Sequence, residues 1–385
     1  DLDAELDHQS HELRFTVKED GTMVDLVFGD ELHAAILDPR EQLWDRHRET
    51  ILRERAREMA AEVLQIGRLK FRFGFETYGE APSTGHALYI SLHGGGGAPK
   101  EVNDQQWVNQ RRLYQPAEGI YLAPRAPTDT WNLWHQDHVD AFLDRLIENM
   151  IVFHGVDPNR VYLMGYSAGG DGVYQLAPRM ADRFAAAAMM AGHPNDTRPD
   201  SLANLPFTLH MGAEDAAYDR NKVAAQWKEE LAALEAAAAP GAYPHWVEIH
   251  EGKGHWMDRE DASAVPWMAK HVRQLRPERV VWLQDDVVHD RFYWLKVDEP
   301  KARSRVVVSR EGNRFTIEQA EGLETLTLRL DESMVDFAEE VVVVQGGEEH
   351  FRGLVAPSLD VQRRTLAERG DPSGIFAAEL RLDLP

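Results

Sequence analysis

Gly165-Tyr166-Ser167-Ala168-Gly169 reads G-x-S-x-G. The apolar run Val161-Tyr162-Leu163-Met164 before it predicts a strand, and Gly169-Gly170-Asp171-Gly172 leads into a segment able to turn helical. A serine on such a tight strand-to-helix turn has its Oγ pushed into a cleft, and its neighbours must be small because the helix folds back close to the strand. Two partners follow along the chain. Asp215 comes after the apolar strand signal Pro206-Phe207-Thr208-Leu209-His210-Met211-Gly212. His255 comes after His245-Trp246-Val247-Glu248-Ile249-His250, in the loop Gly252-Lys253-Gly254-His255. Nucleophile, acid and histidine thus arrive in one of the chain orders that Ser-His-Asp triads use.

Upstream, Leu92-His93-Gly94-Gly95-Gly96-Gly97 directly follows another strand signal. A tetrahedral acyl intermediate places negative charge on one oxygen, which backbone N–H groups can stabilise. Glycines let the backbone approach a substrate closely. Gly95 and Gly96 are the expected donors there, with the N–H of Ala168 as the second side of the hole. A phosphate loop would need a Gly-Lys-Ser/Thr ending, which is absent; a turn without a role is the other alternative.

The chain has 17 histidines, so a lone histidine carries little. His255 is singled out by its glycine-rich loop between the last strand and the last helix of the region. His193, in Gly192-His193-Pro194, is structural or substrate-facing. Trp134-His135-Gln136-Asp137-His138 could offer metal ligands, but a helix start capped by Asp137 is the expected reading, and no metal is assigned. Trp107, Trp131, Trp134, Tyr166 and Trp256 fall in expected loops near the site. With His93 and His193 they suggest an aromatic-walled pocket.

Alternating strand and helix signals from Leu69 onward predict a doubly wound, mostly parallel sheet with helices on both faces, whose sites lie at the carboxyl ends of the strands. Residues 1–67 read as a hairpin around Glu19-Asp20-Gly21 followed by a long helix opened by Asp38-Pro39 and ended by Gly67, packing on a catalytic region at 68–277. Beyond Pro277 the texture changes to short β signals, Arg291 to Val297 among them. They predict a smaller β-rich, sandwich-like region over 278–385, with one short helix near Asp360 to Glu368.

The whole-chain properties fit a water-soluble enzyme. A net charge of −23 disfavours phosphate-mediated nucleic-acid binding and anionic membrane surfaces. No apolar run reaches the roughly 18–20 residues of a membrane span. Without cysteine, disulfides, thiol catalysis and Cys-ligated zinc are excluded. Only 9 of the 42 basic residues are lysine, a bias that a GC-rich genome explains more simply than salt adaptation. A start at Asp1 without a signal-like segment reads as a processed or trimmed end. Compartment and oligomeric state are left open.

Together, Leu92-His93-Gly94-Gly95-Gly96, Gly165-Tyr166-Ser167-Ala168-Gly169-Gly170, Gly212-Ala213-Glu214-Asp215 and Gly252-Lys253-Gly254-His255 resemble the phospholipase/carboxylesterase and polyhydroxybutyrate-depolymerase-like esterases of the α/β-hydrolase superfamily. The resemblance runs from about Leu88 to Leu275. It implies the α/β-hydrolase fold and a cofactor-independent serine hydrolase of small-molecule or polymer-linked carboxylic esters, with Ser167, His255 and Asp215 as triad. The Gly-x-x-Asp spacing of those esterases selects Asp215 over Glu214 and Asp219. Small carboxylesterases of this kind often lack the flanking regions found here, and the β-rich region is expected to supply no catalytic group. A serine peptidase of the prolyl-oligopeptidase type and a non-catalytic carbohydrate-binding protein on the same fold are the alternatives.

Overall fold

The computed structural model describes residues 40–384 and, ahead of them, three strands, β1 (Leu2–Asp7), β2 (Glu12–Glu19) and β3 (Thr22–Phe28). These strands pair antiparallel, with Glu19 opposite Thr22. The expected turn at Asp20-Gly21 and the helix opening at Asp38-Pro39 lie outside the described residues.

Helix α1 (Arg40–Ala61) stops six residues short of the expected Gly67. Glu62 takes φ 52°, and Val63–Ile66 becomes strand β4. Pairing decides the outcome. Leu64 sits opposite Phe71 on β5 (Leu69–Tyr78), and both are fully buried. Strand burial outweighs helix propensity at a segment that either pattern fits. Gly67, at φ 59°, closes the β4–β5 hairpin instead.

Six further strands complete an eight-stranded sheet: β6 (His86–Leu92), β7 (Gly119–Arg125), β8 (Val156–Tyr166), β9 (Ala186–Met190), β10 (Phe207–Gly212) and β11 (His245–His250). The order is 11-10-9-8-6-7-5-4; β4 and β5 run antiparallel to their neighbours and the rest are parallel. The connections are α2 (Lys100–Gln110), α3 (Asp137–His154), α4 (Ala168–Arg179), α5 (Arg220–Ala237) and the short α6 (Ala264–Met268). Both faces are covered over the central strands, so β6, β7, β9 and β10 are buried almost throughout, while β5 and β11 toward the edges are only partly buried. Alternate residues on β6 serve different layers. Leu88, Ile90 and Leu92 join one core with Phe71, Phe142 and Leu146, while Ala87 and Tyr89 join a second with Tyr162, Met164 and Met268.

Beyond Pro277 come β12 (Arg279–Leu283), β13 (Arg291–Phe292), β14 (Leu295–Lys296), β15 (Arg305–Glu311), β16 (Arg314–Glu321), β17 (Thr325–Leu330), β18 (Val341–Gln345), β19 (Glu348–Gly353), α7 (Leu359–Arg369) and β20 (Ala378–Asp383). They build two sheets, 12-15-16-18-19 and 13-14-17-20. The single strand expected over Arg291 to Val297 is a tight hairpin. Tyr293 takes φ 54°, and its N–H is drawn across to Asp182 Oδ2 at 2.9 Å. Trp294 turns inward, donating to the Pro277 carbonyl at 2.9 Å.

The two regions share one continuous apolar core, in which Val280, Trp282 and Phe292 cluster with residues of the large sheet's helices. Buried ion pairs also cross between them, Arg369 with Asp182 and Asp371 with Arg273 at 2.7 Å, and His289 Nε2 hydrogen-bonds Asp140 Oδ2 at 2.8 Å. Removing one partner of such a pair strands a buried charge. Among the described residues no helix is long and apolar enough to cross a membrane.

Candidate active site

Ser167 lies between the end of β8 and the start of α4, with φ 60° and ψ −123°. A non-glycine residue at such angles carries about 1–3 kcal/mol of backbone strain. The surroundings hold it: Ser167 N–H donates to the Met190 carbonyl at 3.0 Å, and the Ser167 carbonyl accepts the Asp171 N–H at 3.0 Å. The flanking glycines answer to close approach. A Cβ on Gly165 would lie 2.2 Å from the Gly169 oxygen, and one on Gly169 would lie 2.1 Å from the Leu92 oxygen.

The structure brings Ser167, His255 and Asp215 together at the carboxyl ends of β8, β11 and β10. His255 Nε2 is 2.9 Å from Ser167 Oγ, and His255 Nδ1 is 2.7 Å from Asp215 Oδ2. Asp215 is 3% exposed, while the His255 side chain is 43% exposed, so the carboxylate is shielded and the imidazole is open to solvent. Of the three carboxylates in this loop, Glu214 is exposed and Asp219 pairs with Lys222 at 2.7 Å. The acid and histidine loops support each other through Glu214 N–H to the Lys253 carbonyl at 2.8 Å. A serine, an imidazole and a carboxylate in such a chain can move a proton off the hydroxyl while the carboxylate fixes the imidazole tautomer.

Two supporting groups went unread in the sequence. Arg220 Nη1 lies 3.4 Å from Asp215 Oδ1 and holds the carboxylate oxygen that His255 does not use; its guanidinium also lies over the Tyr218 ring. Asn103, wholly buried on α2, organises the glycine loop. Its Oδ1 accepts the Gly96 N–H at 2.8 Å, and its Nδ2 donates to the Ala98 carbonyl and to Asp129 Oδ1, both at 3.0 Å. Nothing in sequence spacing marks an asparagine seven residues past a glycine as its partner.

That contact corrects one expectation. Gly96 N–H is turned inward to Asn103, and Gly97 N–H to the Asp129 carbonyl at 3.0 Å, so Gly96 is not a donor facing the site. Gly94 lies against the serine, since a Cβ on it would sit 3.1 Å from Ser167 Cβ. Gly95, between them at φ 109°, and Ala168, first residue of α4, are the remaining expected donors.

The residues expected to line an aromatic pocket occupy quite different environments. His93 is fully buried. Its Nδ1 donates to the Gly94 carbonyl at 2.6 Å and its Nε2 accepts the Ala126 N–H at 3.1 Å. Burial lowers its pKa to about 4, so it is a neutral brace of the loop rather than a substrate-facing group. Trp134 is also fully buried, donating to the His93 carbonyl at 2.9 Å. Trp107 lies on α2 and bonds the Ala123 carbonyl at 2.9 Å. Trp131 and Trp256 are exposed, at 64% and 50%. Tyr166 is buried and its ring meets those of His255 and Trp256.

His193 has its N–H on Asp171 Oδ1 at 2.6 Å, and its Nδ1 accepts the Asn195 N–H at 2.9 Å. Burial lowers its pKa and raises that of Asp171 to about 6. Near His135, Gln136 and not Asp137 occupies the position ahead of α3, and Asp137 instead accepts the His138 N–H at 2.7 Å. Among the described residues no cluster of three or more His, Asp or Glu is placed to hold a metal ion.

Residues 117–272, which contain Ser167, Asp215 and His255, match the model of the dienelactone hydrolase family. The chain carries an α/β-hydrolase domain. This is the superfamily that the four sequence motifs resemble. The chain is 30% identical over 157 residues to NocK of Nocardia uniformis subsp. tsuyamanensis, a protein provisionally named an esterase. That alignment covers 36% of the chain and 44% of NocK, so the chain spans less than half of this relative's length. Solved structures similar to part of the chain include a thermostable esterase (16% identity, TM-score 0.43, 55% of this chain and 64% of that one). Another is an S-formylglutathione hydrolase from Agrobacterium tumefaciens (12% identity, TM-score 0.41, 55% of this chain and 94% of that one).

Proposed function

We propose that the chain hydrolyses carboxylic esters, with Ser167 as nucleophile, His255 as general base and acid, and Asp215 as the orienting carboxylate. The observation that carries this reading is the unbroken hydrogen-bond chain from Ser167 Oγ through His255 to a buried Asp215. Ser167 Oγ attacks the acyl carbon while His255 Nε2 takes its proton. The oxyanion of the tetrahedral intermediate meets the N–H groups of Gly95 and Ala168. Collapse expels the alcohol, which leaves with the proton returned by His255. Water, deprotonated by His255, then attacks the acyl carbon; the bond to Ser167 Oγ breaks as His255 returns the proton to that oxygen, and the acid departs. Asp215 stabilises the imidazolium formed in each half, and Arg220 keeps that carboxylate in place. The residues in these roles need no cofactor. The substrate is a small-molecule or polymer-linked ester.

Purified chain is assayed on p-nitrophenyl butyrate and on a peptide p-nitroanilide, alongside Ser167→Ala. Ester turnover that falls by roughly 10³ or more in the variant, with little amide cleavage by the parent, is the expected result. Ester turnover unchanged in Ser167→Ala overturns the assignment, and amide cleavage exceeding ester cleavage assigns a peptidase.

A further inference from the structure

A cleft of about 670 Å³ runs between the loop leaving β9 and the outer face of α5. That volume suits an organic group far larger than acetyl. Val223, Trp227 and Leu234 supply apolar lining on the helix side, with Gln226 and Glu230 more exposed.

His193 is one of the residues that line the cleft. Its backbone is bonded to Asp171, in the first turn of the helix that starts just after Ser167. Gly192 packs directly on Gly170 of the same turn. The charges of Arg220 and Asp219 act on the His193 ring, and Arg220 is the residue bonded to Asp215. His193 therefore ties the cleft lining to the helix that follows Ser167, and lies within electrostatic reach of the Arg220 that bonds Asp215.

The outer wall, residues 194–200, is held by the C-terminal β region. Arg303 bonds Asp196 at 2.7 Å, Asp285 accepts from Thr197 Oγ1 at 3.2 Å, and Arg305 bonds Asp200 at 2.5 Å. Arg303 also pairs with Asp285 at 2.8 Å. Just beyond, Ser201 Oγ accepts the Leu283 N–H at 2.9 Å. The wall is thus fixed by side chains from outside the hydrolase domain. These arginines neutralise Asp196 and Asp200, and the lining Arg198 also pairs with Asp200 at 3.5 Å, so its cation is partly offset, while Glu230 and a net charge of −23 disfavour an anionic occupant.

Resting on the ester-hydrolase reading above, we infer that this cleft receives the larger, uncharged and partly apolar group of a bulky ester, and that the C-terminal β region sets this preference by holding the cleft wall. Such a role accounts for an accessory region whose side chains meet the 194–200 loop.

The test compares kcat/KM on p-nitrophenyl acetate, on p-nitrophenyl 4-phenylbutyrate, which is bulky on the acyl side, and on 4-phenylbutyl acetate, which is bulky on the alcohol side. Gln226→Trp fills the cleft from an exposed helix position, and Arg303→Gln releases its wall. In both variants kcat/KM on one bulky ester, relative to p-nitrophenyl acetate, is expected to fall about tenfold, equivalent to about 1.4 kcal/mol. Which bulky ester responds identifies the group that the cleft binds. Circular dichroism melts check folding, and Ala233→Trp replaces Gln226→Trp if that variant is unfolded. An unchanged ratio in a folded cleft-filling variant overturns the subsite. A ratio that falls there but not in Arg303→Gln overturns the role of the β region. A parent that turns over no ester at all refutes the underlying hydrolase reading instead, because p-nitrophenyl acetate does not need the cleft.

Discussion

The phenol of Tyr166 donates to the backbone carbonyl of His255 at 2.6 Å. Its oxygen also accepts the Met257 N–H at 3.1 Å. The residue immediately before Ser167 therefore ties down both ends of the turn that carries His255. Burial pushes the phenol pKa well up, so the hydroxyl remains a donor at any working pH. Tyr166→Phe keeps the ring and removes both bonds. We predict a loss of about 1–2 kcal/mol in unfolding free energy and a fall in kcat of roughly 3- to 30-fold, with KM little changed. Urea unfolding and steady-state kinetics measure the two. A variant with full kcat shows that the turn is held in place without Tyr166.

Asn103 has no contact with a substrate in the proposed mechanism, yet its carboxamide fixes the loop that contains Gly95. Asn103→Ala is expected to lower kcat by roughly 10- to 100-fold, less than the 10²–10³ typical for deleting an oxyanion donor outright. Affinity for a boronic acid that forms a tetrahedral adduct on Ser167 should fall by a similar factor, with KM for a small ester nearly constant. Equal losses in KM and boronate affinity would mean general damage to the fold instead.

Stability should depend on pH through buried neutral histidines. Burial lowers His93 to about 4 and His210 to about 3. A histidine with a lowered folded pKa favours the native state above the unfolded value near 6.5, and loses that contribution as pH falls toward its folded pKa. At pH 5 each has given up about 2 kcal/mol of the stability present at pH 7.5. Urea unfolding at the two pH values should therefore show a weaker fold at pH 5. His93→Gln should flatten part of the dependence. Equal stability at both pH values would contradict the neutral assignment.

Much of this architecture was legible because its determinants are local. The alternation in Leu69 to Phe75 and the glycines around Ser167 answer to pleat geometry and close backbone approach, which nearby residues reveal. The helix end was misread because Val63 to Ile66 fits either pattern, and only Phe71 across the hairpin settles it. The Arg291 to Val297 hairpin depends on Asp182, more than a hundred residues away. The Gly96 and His93 assignments failed for a related reason. Glycines and a histidine near a catalytic serine read alike whether they face a substrate or a buried asparagine. Arg220 and Asn103 were missed because a charged residue at a helix start and an asparagine within a helix have ordinary surface explanations.

Covalent trapping probes the proposed role of Ser167 as the nucleophile of an acyl transfer driven by His255. The chain is incubated with an alkyl fluorophosphonate, digested, and mapped by mass spectrometry, with His255→Ala in parallel. The account predicts one adduct, on Ser167, forming in step with the loss of ester hydrolysis and slowed by roughly two or more orders of magnitude in His255→Ala. Ester hydrolysis that persists after complete labelling of Ser167, or inactivation with the adduct on another residue and Ser167 unmodified, would contradict it.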